Sequence, residues 1–174
     1  MPVDELLACF DDNGNTIGSR LRSEVHTQPY VIWHGVSCIW IVNNQKQILC
    51  SKRSSSVSLN HNKWQTYFGG HLKAGSDFID TAIIELNEEV GLNIKKSDLH
   101  LFKIGKDFKN KQFFHNFVFK YNEPLEDLEF NDEEVVEVKW YDFETYQLVK
   151  ESHPELWCNG TSQEEYKGII SILE

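Results

Sequence analysis

Thirteen consecutive residues without proline or glycine, 78–90, lie between Gly75 and Gly91. The run predicts a helix of about three and a half turns, beginning near Asp77, because a glycine just past its end supplies a left-handed cap. At about 100° per residue, Ile79, Ala82, Ile83, Leu86 and Val90 share one arc, and Glu85, Glu88 and Glu89 share the next. One side is built to pack, and its neighbour carries three carboxylates. Like charges at this spacing repel by roughly 0.2–0.5 kcal/mol per pair. The helix holds no lysine or arginine to offset them.

An acidic cluster alone reads as a solvated helix face. Here Gly69 and Gly70 end a strand-like segment and Gly75 follows in the loop, so backbone can approach a ligand beside the glutamates. Carboxylate and carbonyl oxygens together are the ligands that hard cations such as Mg²⁺ prefer.

The chain has 174 residues, 40% of them hydrophobic and 13% aromatic, enough for one sizeable core and predicting a single domain over 1–174. A net charge of −10 argues against nucleic-acid polymers and anionic membranes as partners. It leaves open small phosphorylated anions, which a divalent cation can bridge to carboxylates. Cys9, Cys38, Cys50 and Cys158 form no CxxC pair, which fits reduced thiols in a cytoplasmic protein. The first residues, "MPVDELLACFDDNGN", lack the basic and apolar stretches of a secretory signal. No segment approaches the roughly 20 apolar residues of a membrane-spanning helix.

Elsewhere the pattern alternates as strands do. "ELLACF" and "TIGSRL" flank "DDNGN", and Asn13-Gly14 predicts a two-residue hairpin turn within residues 4–22. Val36–Val42 and Gln47–Lys52 read as a second adjacent pair around "NNQK". "SSSVSLNHNKW" reads as a loop with strand resuming at Trp64. "LHLFKIGKDF" and "FFHNFVFKY" predict an antiparallel pair, with Phe113, Phe117, Phe119 and Tyr121 on a buried face. A strand is expected at Val135–Trp140, then a helix capped by Asp142 and stopped by Pro154. A short amphipathic helix carries Ile169, Ile170 and Leu173.

Gly70, Glu85, Leu86, Glu88, Glu89, Gly91 and Leu92 match the signature of the Nudix hydrolases: Gly, five residues, Glu, seven residues, Arg-Glu-apolar-any-Glu-Glu-any-Gly-apolar. The chain resembles that family through a box at 70–92, with two departures: Ser76 stands where the signature has its first Glu, and Ile84 where it has Arg. "DELLACFDDNGNTIGSRLRSEVH", "YVIWHGVSCIW" and "WQTYFGGH" are similar to the branch that includes isopentenyl-diphosphate isomerase. Gly69 occupies the position of that enzyme's catalytic cysteine, which weakens an isomerase reading because no thiol stands there for proton transfer. His26, His34 and His71 match its histidines approximately.

The resemblance implies an α/β fold, an α/β/α sandwich with a mixed sheet and an N-terminal β-hairpin. It implies a Mg²⁺- or Mn²⁺-dependent hydrolase of a small-molecule substrate, a nucleoside diphosphate linked to another moiety. Glu85, Glu88, Glu89 and the Gly70 carbonyl are the expected metal ligands. Glu89 is the first candidate base, with Glu134 or Glu137 as alternatives, and Glu88 belongs to the same catalytic group. Lys52, Arg53, His34, His71 and Phe68 are candidate substrate contacts, and Trp33 and Tyr67 can stack on a base. A nucleotide or metabolite sensor that retains the fold but not turnover stays open, as does the isomerase-like reading. The hairpin either lies on its own domain or pairs with a second copy in a homodimer.

Overall fold

The computed structural model describes residues 4–57, 59–131 and 133–173. Ser58 of the serine-rich loop and Asp132 of the acidic loop lie outside the described residues.

The sheet is organised around β3 (Trp33–Val42). On its antiparallel partners, β1 (Leu6–Phe10) pairs Cys9 with His34, and β6 (Phe68–His71) pairs Gly70 with Ser37. β8 (Gln112–Lys120) runs parallel to β3 from His34↔Gln112 to Val42↔Lys120. β2 (Thr16–Leu21) flanks β1, and β7 (Leu99–Asp107) flanks β8. β4 (Ile48–Arg53) carries β5 (Trp64–Gln65) and β9 (Val135–Tyr141). The sheet is therefore mixed, as expected.

Side chains of successive strand residues point to opposite faces, and the cores follow that period. Ile39, Ile41, Leu49, Phe117 and Phe119 pack with Ala82, Leu86 and Val90 of α2 (Phe78–Val90). Trp40, Val42, Ile48, Cys50 and Val118 pack on the other face with Tyr146 of α3 (Phe143–Ser152) and Ile169 of α4 (Gln163–Ile172). Helices cover both faces, the layered α/β arrangement that the sequence implied. Among the described residues no helix is long and apolar enough to cross a membrane.

Two local expectations need correction. The hairpin turn is not two residues long: a loop over 11–15 joins Phe10 to Thr16, and Gly14, at φ +89°, carries its left-handed backbone. Asp11 builds this loop by accepting from the Asn13 and Asn15 amides at 2.8 and 2.9 Å, a local turn that competes with a tight hairpin. β3 and β4 are adjacent only at their turn, Val42↔Ile48; beyond it β6 lies beside β3 and β9 beside β4. A turn signal reports local reversal and not how far the strands stay paired. A short helix, α1 (Arg22–Val25), follows β2 and was not foreseen.

Candidate active site

α2 brings the three glutamates together as its periodicity requires. Asp77 caps its start by accepting from the Asp80 amide at 2.7 Å. Gly91, at φ +73°, ends it with a 3.0 Å bond to the Asn87 carbonyl. Asn131 fastens the same end from the acidic loop, its amide reaching the Glu88 carbonyl at 3.2 Å and its side chain the Asn87 carbonyl at 3.0 Å.

The paired glycines decide how close β6 comes. A Cβ on Gly69, at φ +135°, would lie 2.0 Å from the Ser37 carbonyl oxygen, and one on Gly70 would lie 2.3 Å from Oε1 of Glu85. Only glycine leaves room for the carboxylate against the backbone. Glu89 is 2% exposed and accepts from the Gly69 amide at 3.0 Å. Burial, and then the Glu88 charge, push the Glu85 carboxyl up to about 7, with Lys73 opposing the rise.

Glu85, Glu88 and Gly70 form one wall of a cavity of about 440 Å³, and Arg53 and Glu134 line it as well. Arg53 is oriented by its Nε donating to the Leu59 carbonyl at 3.2 Å and by Gln65 Oε1 at 3.4 Å. Crowded carboxylates beside a bare backbone gain from a cation, and this oxygen-rich donor set fits a hard divalent ion.

A second group of donors lies in the same cavity. One ring nitrogen from each of His26, His34 and His71 lies within 4.8 Å of the others, and the Nε2 atoms of His26 and His71 are 3.0 Å apart. Burial lowers His34 to about 4 and holds His71 well below the ordinary value; His26 is lowered for the same reason. The cluster is therefore neutral near pH 7. Gln112 stands beside His34, with 3.3 Å between Nε2 atoms.

The other residues expected at the site are dispersed. Phe68 is fully buried in the α2 core, and Trp33 packs with Phe10 and Leu72. Lys52 pairs with Trp64 and Glu137 across the sheet, and neither Lys52 nor Glu137 lines the cavity; Tyr67 does. Sequence reasoning missed Glu5, Arg22, Cys38 and Lys73 in the cavity wall. Lys73 had a signal, since it lies inside the box loop; Glu5 and Arg22 had none, because β1–β2 pairing and α1 deliver them. Burial, and then Glu89 and Glu85, push the Cys38 thiol up to about 12, so it is protonated.

A family model of the NUDIX domain matches residues 33–157. An uncharacterised Nudix hydrolase of Clostridium acetobutylicum is 28% identical over 143 residues, 76% of this chain and 68% of that protein. An isopentenyl-diphosphate Delta-isomerase of Paenarthrobacter aurescens is 28% identical over 101 residues, 58% of this chain and 54% of the isomerase. A crystal structure of a Deinococcus radiodurans protein superposes with a TM-score of 0.73 at 19% identity, over 98% of this chain and 100% of that one. The MutT protein of Methanosarcina mazei reaches 0.52 at 15% identity, over 79% and 91% of the two chains.

Fold and site together thus define a protein of the Nudix class. The chain belongs to the Nudix family, as a hydrolase acting on phosphoanhydride bonds.

Proposed function

We propose that the chain, acting as one domain that includes its N-terminal hairpin, cleaves the diphosphate linkage of a nucleoside diphosphate joined to a further group, with Mg²⁺ or Mn²⁺ as cofactor. The observation that carries this is the contact made by two glycines: Gly70 admits Glu85 against its backbone, and Gly69 anchors Glu89, so that oxygen donors converge on a cavity also lined by Arg53.

Glu85 and Glu88, with the Gly70 carbonyl, would hold the cation, which neutralises phosphate charge when bound. Glu89, buried and hydrogen-bonded to Gly69, fixes the backbone beneath them. Arg53 presents a guanidinium fixed in direction by Leu59 and Gln65, suited to a phosphate oxygen. Glu134 faces the cavity from the acidic loop and is the better placed of the candidate bases to take a proton from an attacking water, since Glu89 is occupied and does not line the cavity. His34, buried, and His71, half-buried, are neutral and suited to polar contacts with uncharged parts of the substrate. Gly69 offers no thiol for allylic proton transfer, which counts against an isomerase.

The test incubates the protein with Mg²⁺ or Mn²⁺ and a panel of nucleoside triphosphates, dinucleotides, nucleotide sugars and isopentenyl diphosphate, and identifies the products. Hydrolysis that falls on the order of 10³-fold in Glu88→Gln supports the reading. Tight binding of a nucleotide without product supports a sensor instead.

A further inference from the structure

Lys73 follows Gly70 in the box loop and lines the cavity with Glu85 and Glu88. Its Nζ lies 3.1 Å from Oε1 of Glu5, and the second oxygen of Glu5 takes Arg22 at 3.0 Å. Glu5 is thus held at both oxygens. The backbone is fixed as well: the Ala8 amide donates to Leu72 at 2.8 Å, the Ala74 amide donates to Leu6 at 2.9 Å, and Leu7 bridges Lys73. The N-terminal hairpin therefore determines where this ammonium sits.

Ion pairs as exposed as these, with side chains 33–44% accessible, add little to stability. What the arrangement does achieve is placement of a positive charge beside a helix that has none of its own. Lys73 is held above its ordinary value by the Glu5 hydrogen bond first, and Glu88 and Glu85 add to it. Ile84, where the family pattern has arginine, is 40% exposed and does not line the cavity. Glu5 accepts one of the three ammonium protons, which leaves two to donate.

We propose that Lys73, positioned by Glu5, is the anion-binding partner of the carboxylate site and donates to a non-bridging oxygen of the substrate diphosphate. This rests on the metal-dependent reading above. The same charge that attracts the diphosphate repels a bare cation, so its loss acts in opposite directions on the two ligands.

Binding of Mn²⁺ alone, and of pyrophosphate at saturating Mn²⁺, is titrated in full-length Lys73→Gln, Lys73→Arg and Glu5→Gln. Lys73→Gln is expected to bind Mn²⁺ about fivefold more tightly and pyrophosphate about tenfold more weakly. Lys73→Arg keeps both within about threefold, and Glu5→Gln weakens pyrophosphate less than Lys73→Gln does. A folding defect would weaken both ligands together. Unchanged pyrophosphate affinity, or parallel losses, in Lys73→Gln overturns the inference while the metal reading stands. A parent chain that binds no Mn²⁺, or binds it independently of Glu85→Gln/Glu88→Gln, overturns the metal reading and this inference with it.

Discussion

Glu85, Glu88 and Glu89 come from neighbouring turns of one helix, whereas His26, His34 and His71 come from three separate segments that the sheet gathers. Both groups are partly desolvated, yet the consequences oppose each other. Burial favours the neutral form of either residue type, so it raises the proton affinity of Glu85 and lowers that of His34. The imidazoles shed their charge outright, whereas a cation bound beside Glu85 and Glu88 would restore the ionised carboxylates. The cavity thus sets a carboxylate wall against a wall of neutral imidazoles, with Arg22 beside the histidines.

The largest effect that tests this contrast is on turnover. Glu85→Gln is expected to lower kcat on the order of 10³-fold, about 4 kcal/mol, and to abolish the rise in Tm on adding Mn²⁺. His34→Gln should keep that rise; if it loses it instead, the two walls are not separable.

Acid titration probes the neutral wall next. His34 ordinarily titrates at 6.5 and falls to about 4 in the fold. The unfolded chain therefore binds more protons between these values, so its contribution is complete above pH 6.5 and is lost as pH falls through 4. That contribution is up to about 3 kcal/mol, and urea unfolding of His34→Gln should show a correspondingly flatter decline in stability between pH 7 and 4.

Gly70→Ala comes third. Its methyl group would occupy the place of the Glu85 carboxylate, and a loss of about 30-fold in turnover, about 2 kcal/mol, is expected with little change in Tm. Smallest is Asp77→Ala, which removes the N-terminal cap of α2 and should cost about 1 kcal/mol in urea unfolding while sparing the histidine cluster.

The contrast also explains what was legible in the sequence. α2, its Asp77 cap and Gly91 stop, and the arc of three glutamates are local, and residues close in sequence repeat with helical period. β7, β8, β9 and the Asp142-capped helix were legible for the same reason. The five-residue loop at Asp11 was not, because the Asn-Gly signal does not say which side chain captures the turn. Lys52 and Arg53 are adjacent and equally basic, yet only Arg53 lines the cavity. Which of two strand neighbours faces a site depends on the sheet's register, and residue type does not encode it. The histidines matched a family pattern only approximately, and their meeting depends on pairings such as Val36↔His71.

Asn131 ties the acidic loop to the last carbonyls of α2, and Glu134 follows within the same loop. Glu134 is held from a second side as well, its carbonyl accepting from the Ser54 amide at 2.7 Å, so the proposed proton acceptor is placed against α2 and against the end of β4 at once. The serine-rich segment between β4 and β5 thus shares the positioning, and its Leu59 carbonyl also orients Arg53 at 3.2 Å. Changing its length would therefore disturb the guanidinium and the proposed acceptor together, so the shape of molecule admitted and the reacting geometry are not tuned independently there.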